Sequence, residues 1–156
     1  MELAILRHGE ATAPAGQPDF ERTLTARGRY QAAAAGQALR ERGGAAWRIV
    51  ASPANRTRET AEIVCGILGH ALEAVLWEPA IYNASLETLL DVVTEHGSEG
   101  NLLFVGHNPG VTYLMEHICG AGSARRGLAP GSLIRISMST NTWVQGAGKL
   151  SERFDA

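Results

Sequence analysis

Short apolar runs alternate with longer stretches of helical periodicity, and this alternation leaves few architectures open. The runs Leu3–Leu6, Trp47–Ala51, Leu72–Trp77, Leu102–Val105 and Leu133–Met138 read as strands. Between them the spacing predicts helices over Thr25–Arg42, Ala54–Leu68, Leu86–Glu95 and Val111–Ile118. Strands that alternate with helices imply βαβ units, and so a single three-layer α/β domain with a mainly parallel central sheet and helices on both faces. At 156 residues, 45% hydrophobic and 19% charged, the chain can bury one core, so residues 1–156 are expected to form one domain. Gly43-Gly44 and Gly97 are expected to close the first and third helices, and Ser85 to cap the third. Gly120–Gly131, with Arg125 and Arg126, reads as a loop, and Thr142–Gln145 as a candidate edge strand.

Two strand-to-helix junctions share a pattern. Ser52-Pro53 follows one strand and Asn108-Pro109 follows another, each reading as a helix cap with proline in the first turn. Each junction therefore sets free backbone N–H groups and a positive helix end beyond the carboxyl end of a strand. That is the edge of an open α/β sheet where ligands bind. The first strand ends directly in Arg7-His8-Gly9, Arg56 lies one turn into the second helix, and His107 sits in the turn before Asn108. Two histidines, two arginines and two helix starts on one edge describe an anion site, with phosphate the leading candidate.

Phosphoryl transfer needs an in-line nucleophile and fixed positive charge around the oxygens. A neutral histidine can supply the first, forming a covalent phosphohistidine, and arginine supplies the second by bidentate contact. Lys149 is the only lysine, which leaves arginine as the default anion partner. No Walker-type phosphate loop occurs. Cys119 and Arg125 have the spacing of a cysteine phosphatase cradle, but Cys119 follows a helical pattern rather than a strand, so both Cys65 and Cys119 read as small core residues. His70, His96 and His117 read as turn or packing residues, Arg58 as a solvated helix arginine and Glu10 as a surface carboxylate. No histidine or cysteine spacing suggests a metal site.

Four motifs in order, Arg7-His8-Gly9, Leu24-Thr25-x-x-Gly28, Ser52-Pro53-x-x-Arg56-Thr57-x-x-Thr60 and Gly106-His107-x-Pro109, resemble those of the histidine phosphatase superfamily. Within it the short chain is similar to the SixA-type phosphohistidine phosphatases. The resemblance runs from Met1 to about Leu114 and is weak beyond. It implies a phosphoglycerate mutase-like fold in which one edge strand runs antiparallel, with the region after Gly131 as the candidate. It also implies His8 as the phosphorylated nucleophile, Arg7 and Arg56 as ligands of the phosphoryl oxygens, and His107 as the histidine that stabilises the transferring group, with no metal or other cofactor. Glu78, in Leu76-Trp77-Glu78-Pro79, lies where many members carry a carboxylate and is the candidate acid or water activator; burial beside Trp77 would raise its pKa. Members of the SixA type manage without a clear donor, because a phosphoramidate leaving group departs more readily.

About two dozen residues separate Trp77 from Leu102, too few for a lid, so the site is expected to be shallow and open. Such a site suits a phosphorylated protein, such as a histidine-containing phosphotransfer domain, and equally a small phosphorylated metabolite. A non-catalytic phosphate-binding module and a mutase remain rivals; the intact histidine and arginine set speaks against the first and the missing lid against the second. With a net charge of -2, nucleic acid is not an expected partner. No signal peptide or membrane span is read, so the expected location is the cytoplasm.

Overall fold

The computed structural model describes residues 1–42, 46–123, 125–140 and 142–156. The strands are β1 (Glu2–Arg7), β2 (Trp47–Ala51), β3 (Leu76–Trp77), β4 (Asn101–Gly106), β5 (Leu133–Met138) and β6 (Gly148–Phe154). The helices are α1 (Ala26–Glu41), α2 (Asn55–Leu68), α3 (Leu86–His96) and α4 (Gly110–Cys119). They build one six-stranded sheet in the order β3-β2-β4-β1-β5-β6. The pairs β3–β2, β2–β4 and β4–β1 are parallel; β1–β5 and β5–β6 are antiparallel.

Alternating side chains bury the central strands on both faces, which is why they read as continuous apolar runs. Leu3, Ile5, Leu102 and Phe104 pack with Leu89, Val93, Val111 and Leu114 of α3 and α4. Ala4, Leu6, Leu103 and Val105 face Ala35, Leu39, Ala61 and Val64 of α1 and α2. Removing Phe104, fully buried, would cost about 3–5 kcal/mol. Thr25 Oγ1 accepts from Gly28 N–H at 3.0 Å and Ser85 Oγ from Thr88 N–H at 3.3 Å, so both helix starts carry their side-chain caps. Gly97 ends α3; Gly43-Gly44, expected to close the first helix, lies outside the described residues.

Three expectations need correction. Only Leu76–Trp77 of the third apolar run pairs in the sheet, while Leu72–Ala74 forms an exposed 3-10 turn. The last strand is Gly148–Phe154 rather than Thr142–Gln145. Trp143 is drawn into the core against Gly97, and the chain turns at Gly146 before the strand begins. The strand that runs against the others, β5, does lie after Gly131, but it sits between β1 and β6; the edge is β6. No helix of the described residues is long and apolar enough to cross a membrane.

Candidate active site

The parallel register sets Arg7 opposite Gly106, and His8 N–H donates to Gly106 O at 3.1 Å. His8 and His107 therefore leave the sheet side by side, with ring centroids 5.3 Å apart. The strand end is held from the other side as well, because Gly131 N–H donates to the carbonyls of both Arg7 and His8. Gly9 and Gly28 explain each other: a Cβ on Gly9 would lie 2.2 Å from Gly28 O, and one on Gly28 would lie 2.0 Å from Glu10 O. The first two sequence motifs are thus one backbone contact that seats the β1 end on the start of α1.

His8 is 7% exposed. Its Nδ1 lies 2.7 Å from Gly9 O, which can only accept, so Nδ1 carries the proton and Nε2 keeps its lone pair. Arg56 Nε–H donates to that Nε2 at 3.3 Å. Burial pulls the His8 pKa down to about 4, with the charges of Arg56, Arg7 and Arg22 adding to it and the Gly9 carbonyl opposing it. The ring is thus neutral at pH 7 with an available nitrogen.

Arg56 is held in place by Asp19: its NH1 donates to Asp19 O at 2.7 Å and its NH2 to Asp19 Oδ2 at 3.0 Å. The same carboxylate accepts from the Tyr82 hydroxyl at 2.6 Å and from Arg22 at 2.9 Å. Those donors, Tyr82 first, hold the Asp19 carboxyl far below the usual carboxylate range. Arg7 donates through NH1 to Leu128 O at 2.7 Å and has a buried, unpartnered Nε. Burial, and then the charge of Arg56, lowers its pKa. His107 Nε2 lies 2.8 Å from Ser52 Oγ, while its Nδ1 is buried without a partner. Burial and the neighbouring His8 and Arg56 pull the His107 pKa down to about 3. Tyr82 packs edge-on against the His107 ring at 5.5 Å. Arg7 Nε and His107 Nδ1 are thus two buried nitrogens of this site without a partner, as donors awaiting an oxyanion would be.

The structure brings Arg7, His8, Arg56 and His107 together, and the contacts of Glu78 are made elsewhere, with Ala80 and His96. Glu78 Oε1 accepts from Ala80 N–H at 2.9 Å, capping the 3-10 turn Pro79–Ile81, and Oε2 faces His96 at 3.8 Å. The proline after Glu78 starts that turn, and the carboxylate caps it. Glu10 accepts from Thr25 Oγ1. Arg58, expected to be solvated, stacks on Trp77 at 4.2 Å. Neither proline junction is capped as expected: α2 starts after Ala54 and α4 after Pro109, both without a side-chain cap. Ser52 instead braces His107. Asn108 donates to Leu128 O at 2.7 Å and accepts from Thr112 Oγ1 at 2.7 Å. Thr60 joins its own helix to the nucleophile, accepting from Gly9 N–H at 3.2 Å.

Asp19, Arg22 and Tyr82 escape a sequence reading. The stretch from Thr12 to Arg22 has no periodicity, and the only signal there is an acid three residues before an arginine. Among the described residues, no cluster of three or more histidines, cysteines or carboxylates has a metal-holding arrangement.

Residues 3–79 match the family model of the histidine phosphatase superfamily (branch 1). No curated protein matches the chain by sequence. Among solved structures, the chain is similar to a protein assigned as phosphohistidine phosphatase SixA from Agrobacterium tumefaciens, with TM-score 0.84, 22% identity and coverage of 99% of this chain and 98% of that one. The protein histidine phosphatase SixA in complex with tungstate gives TM-score 0.84 at 21% identity, covering 99% and 96%. A mycobacterial glucosyl-3-phosphoglycerate phosphatase gives TM-score 0.71 at 17% identity, covering 96% and 95%.

Proposed function

We propose, from the premise that this chain belongs to the histidine phosphatase superfamily, that it removes phosphoryl groups from phosphohistidine on a protein, through a covalent intermediate on His8 and without a metal. The observation that carries this reading is the His8 ring itself: Nδ1–H fixed on Gly9 O, and Nε2 unprotonated, accepting a long 3.3 Å hydrogen bond from Arg56. In the first step the His8 Nε2 lone pair forms the bond to phosphorus as the P–N bond of the substrate breaks. A substrate ring already protonated on its other nitrogen leaves as a neutral imidazole, so no acid in the site has to supply a proton. Phosphorylated His8 is then the cationic ring, and Gly9 O stabilises its Nδ1–H. In the second step water attacks phosphorus, the P–Nε2 bond breaks, and dihydrogen phosphate departs with both protons of the water. Arg7, Arg56 and the unpartnered His107 Nδ1 face the charge on the transferring oxygens.

Support for a phosphoramidate over an ester comes from the carboxylates. Asp19 is committed to three donors, Glu10 to Thr25, and Glu78 to its own turn, so none is poised to protonate an ester oxygen. Between β3 and α3 the chain inserts only the turn Pro79–Ile81 and five further residues, Tyr82 to Leu86's cap Ser85 included, with nothing long enough to close over the site. The test is turnover of a phosphohistidine-bearing protein against a simple phosphate monoester, in wild type and His8→Ala, with EDTA present. A His8-dependent preference for phosphohistidine is expected. Preference for the ester would make the protein a small-molecule phosphomonoesterase, and turnover of neither would make it a phosphate-binding module.

A further inference from the structure

Beside the oxyanion position, His107 also borders a hollow of about 210 Å³ whose walls include Asn83, Ala84, Asn108, Pro109 and Gly110. The walls of the hollow differ in charge from the surroundings of the two rings. Arg56 and Arg7 act on both His8 and His107, yet neither they nor Arg22 border the hollow. Apart from His107, no residue bordering the hollow titrates. The Asn108 amide is fixed at both ends, on Leu128 O and Thr112 Oγ1, so it offers a rigid neutral wall. Asn83, exposed and at φ 54, forms the outer rim in a backbone conformation that asparagine tolerates.

We propose that this hollow is the leaving-group subsite, that it takes a flat uncharged ring such as the imidazole released from phosphohistidine, and that it discriminates against leaving groups bearing a carboxylate. A departing group leaves on the side of phosphorus opposite the attacking nitrogen, and the hollow bordering His107 offers it space lined by no arginine. A carboxylate entering neutral walls would lose its water without gaining a cation, whereas an imidazole loses little. The assignment rests on the phosphatase reading of the same site.

The test measures kcat/KM for N-phosphorylimidazole and for 3-phosphoglycerate in the wild type and in Asn83→Arg, with orthovanadate affinity measured on both proteins. The rim position is exposed, so the fold is expected to absorb the left-handed backbone cost that arginine meets there. The new cation should shift the substrate ratio at least about tenfold toward 3-phosphoglycerate. Orthovanadate affinity should change less than about threefold, because the oxyanion position is untouched. A second variant, Ala84→Phe, narrows the hollow from another wall and should lower N-phosphorylimidazole turnover about tenfold with vanadate still bound. An unshifted ratio in Asn83→Arg, or full turnover in a vanadate-binding Ala84→Phe, overturns the subsite while leaving the phosphatase reading standing. Turnover of neither substrate by the wild type overturns both.

Discussion

The ends of β1 and β4 carry the same residue type in the same register, and the structure uses the two rings in opposite senses. His8 is pinned through Nδ1 and presents Nε2. His107 is pinned through Nε2, on Ser52, and leaves Nδ1 without a partner. Both are buried, and both are held neutral by burial and by positive neighbours. The lesson is that a histidine's role is set by which nitrogen the surrounding backbone and hydroxyls occupy, and residue type and position alone do not reveal it.

The strongest way to break this comparison is to remove each ring in turn. His8→Ala should abolish both turnover and acid-labile covalent phosphate, because the ring nitrogen that Arg56 Nε–H faces is lost. His107→Ala should slow the reaction by about 10²–10³-fold yet still yield a trappable phosphoenzyme. Rapid-quench labelling separates the two; equal loss of the covalent species in both variants would erase the distinction between nucleophile and stabiliser.

A smaller effect is expected from the brace. Ser52→Ala frees the His107 ring without removing it, and kcat should drop about tenfold while KM stays near its wild-type value. Steady-state kinetics beside His107→Ala make the check: a loss as large as that of His107→Ala would mean the serine does more than position.

The rings also differ in their pH windows. An unfolded histidine takes a proton near pH 6.5, while folded His8 resists protonation until about pH 4 and His107 until about pH 3. Between those limits the unfolded chain binds more protons, so stability is full above the unfolded pKa and is lost as pH falls through the window. A loss of about 2–3 kcal/mol per ring is expected by pH 4.5. Thermal melts from pH 7 to 4.5 should show it, and His8→Gln and His107→Gln should each flatten the slope. An unchanged slope in either variant would mean that ring is not held neutral. The smallest effect concerns neither ring: Glu78→Gln should change phosphoramidate turnover by less than about threefold, and should not depress ester turnover more than that. A selective collapse of ester turnover would restore the acid role that the sequence motif suggested.

Much of this site was legible in the sequence because its four central residues sit at strand and helix ends, where apolar periodicity stops and polar residues stand out. The helices from Ala26, Asn55, Leu86 and Gly110 were legible for the complementary reason, a long amphipathic period. What stayed hidden depends on choices between competing partners. Ser52 has a hydroxyl suited to capping a helix, but it faces His107, and the helix starts at Asn55 instead. Asp19 and Tyr82 meet across 63 residues of sequence, and no local pattern encodes a contact of that kind. The β6 edge carries Lys149, Ser151 and Glu152, so its alternation is masked by the polar side chains an edge strand needs.

The strand order has a consequence for how the chain can be made. The family-matched segment, residues 3–79, contains β1, β2 and β3, both site arginines and His8. Yet β1 and β2 do not touch in the sheet; β4 lies between them, and it ends at Gly106. A nascent chain that has reached Pro79 therefore holds nearly every recognisable motif and has no way to close the sheet around them. Its apolar strand edges stay open until the ribosome has delivered the middle strand, and chaperones have their opportunity in that interval. The same order forbids a minimal enzyme cut from the motif-rich half, since such a fragment would keep the signature and lose the strand that joins it.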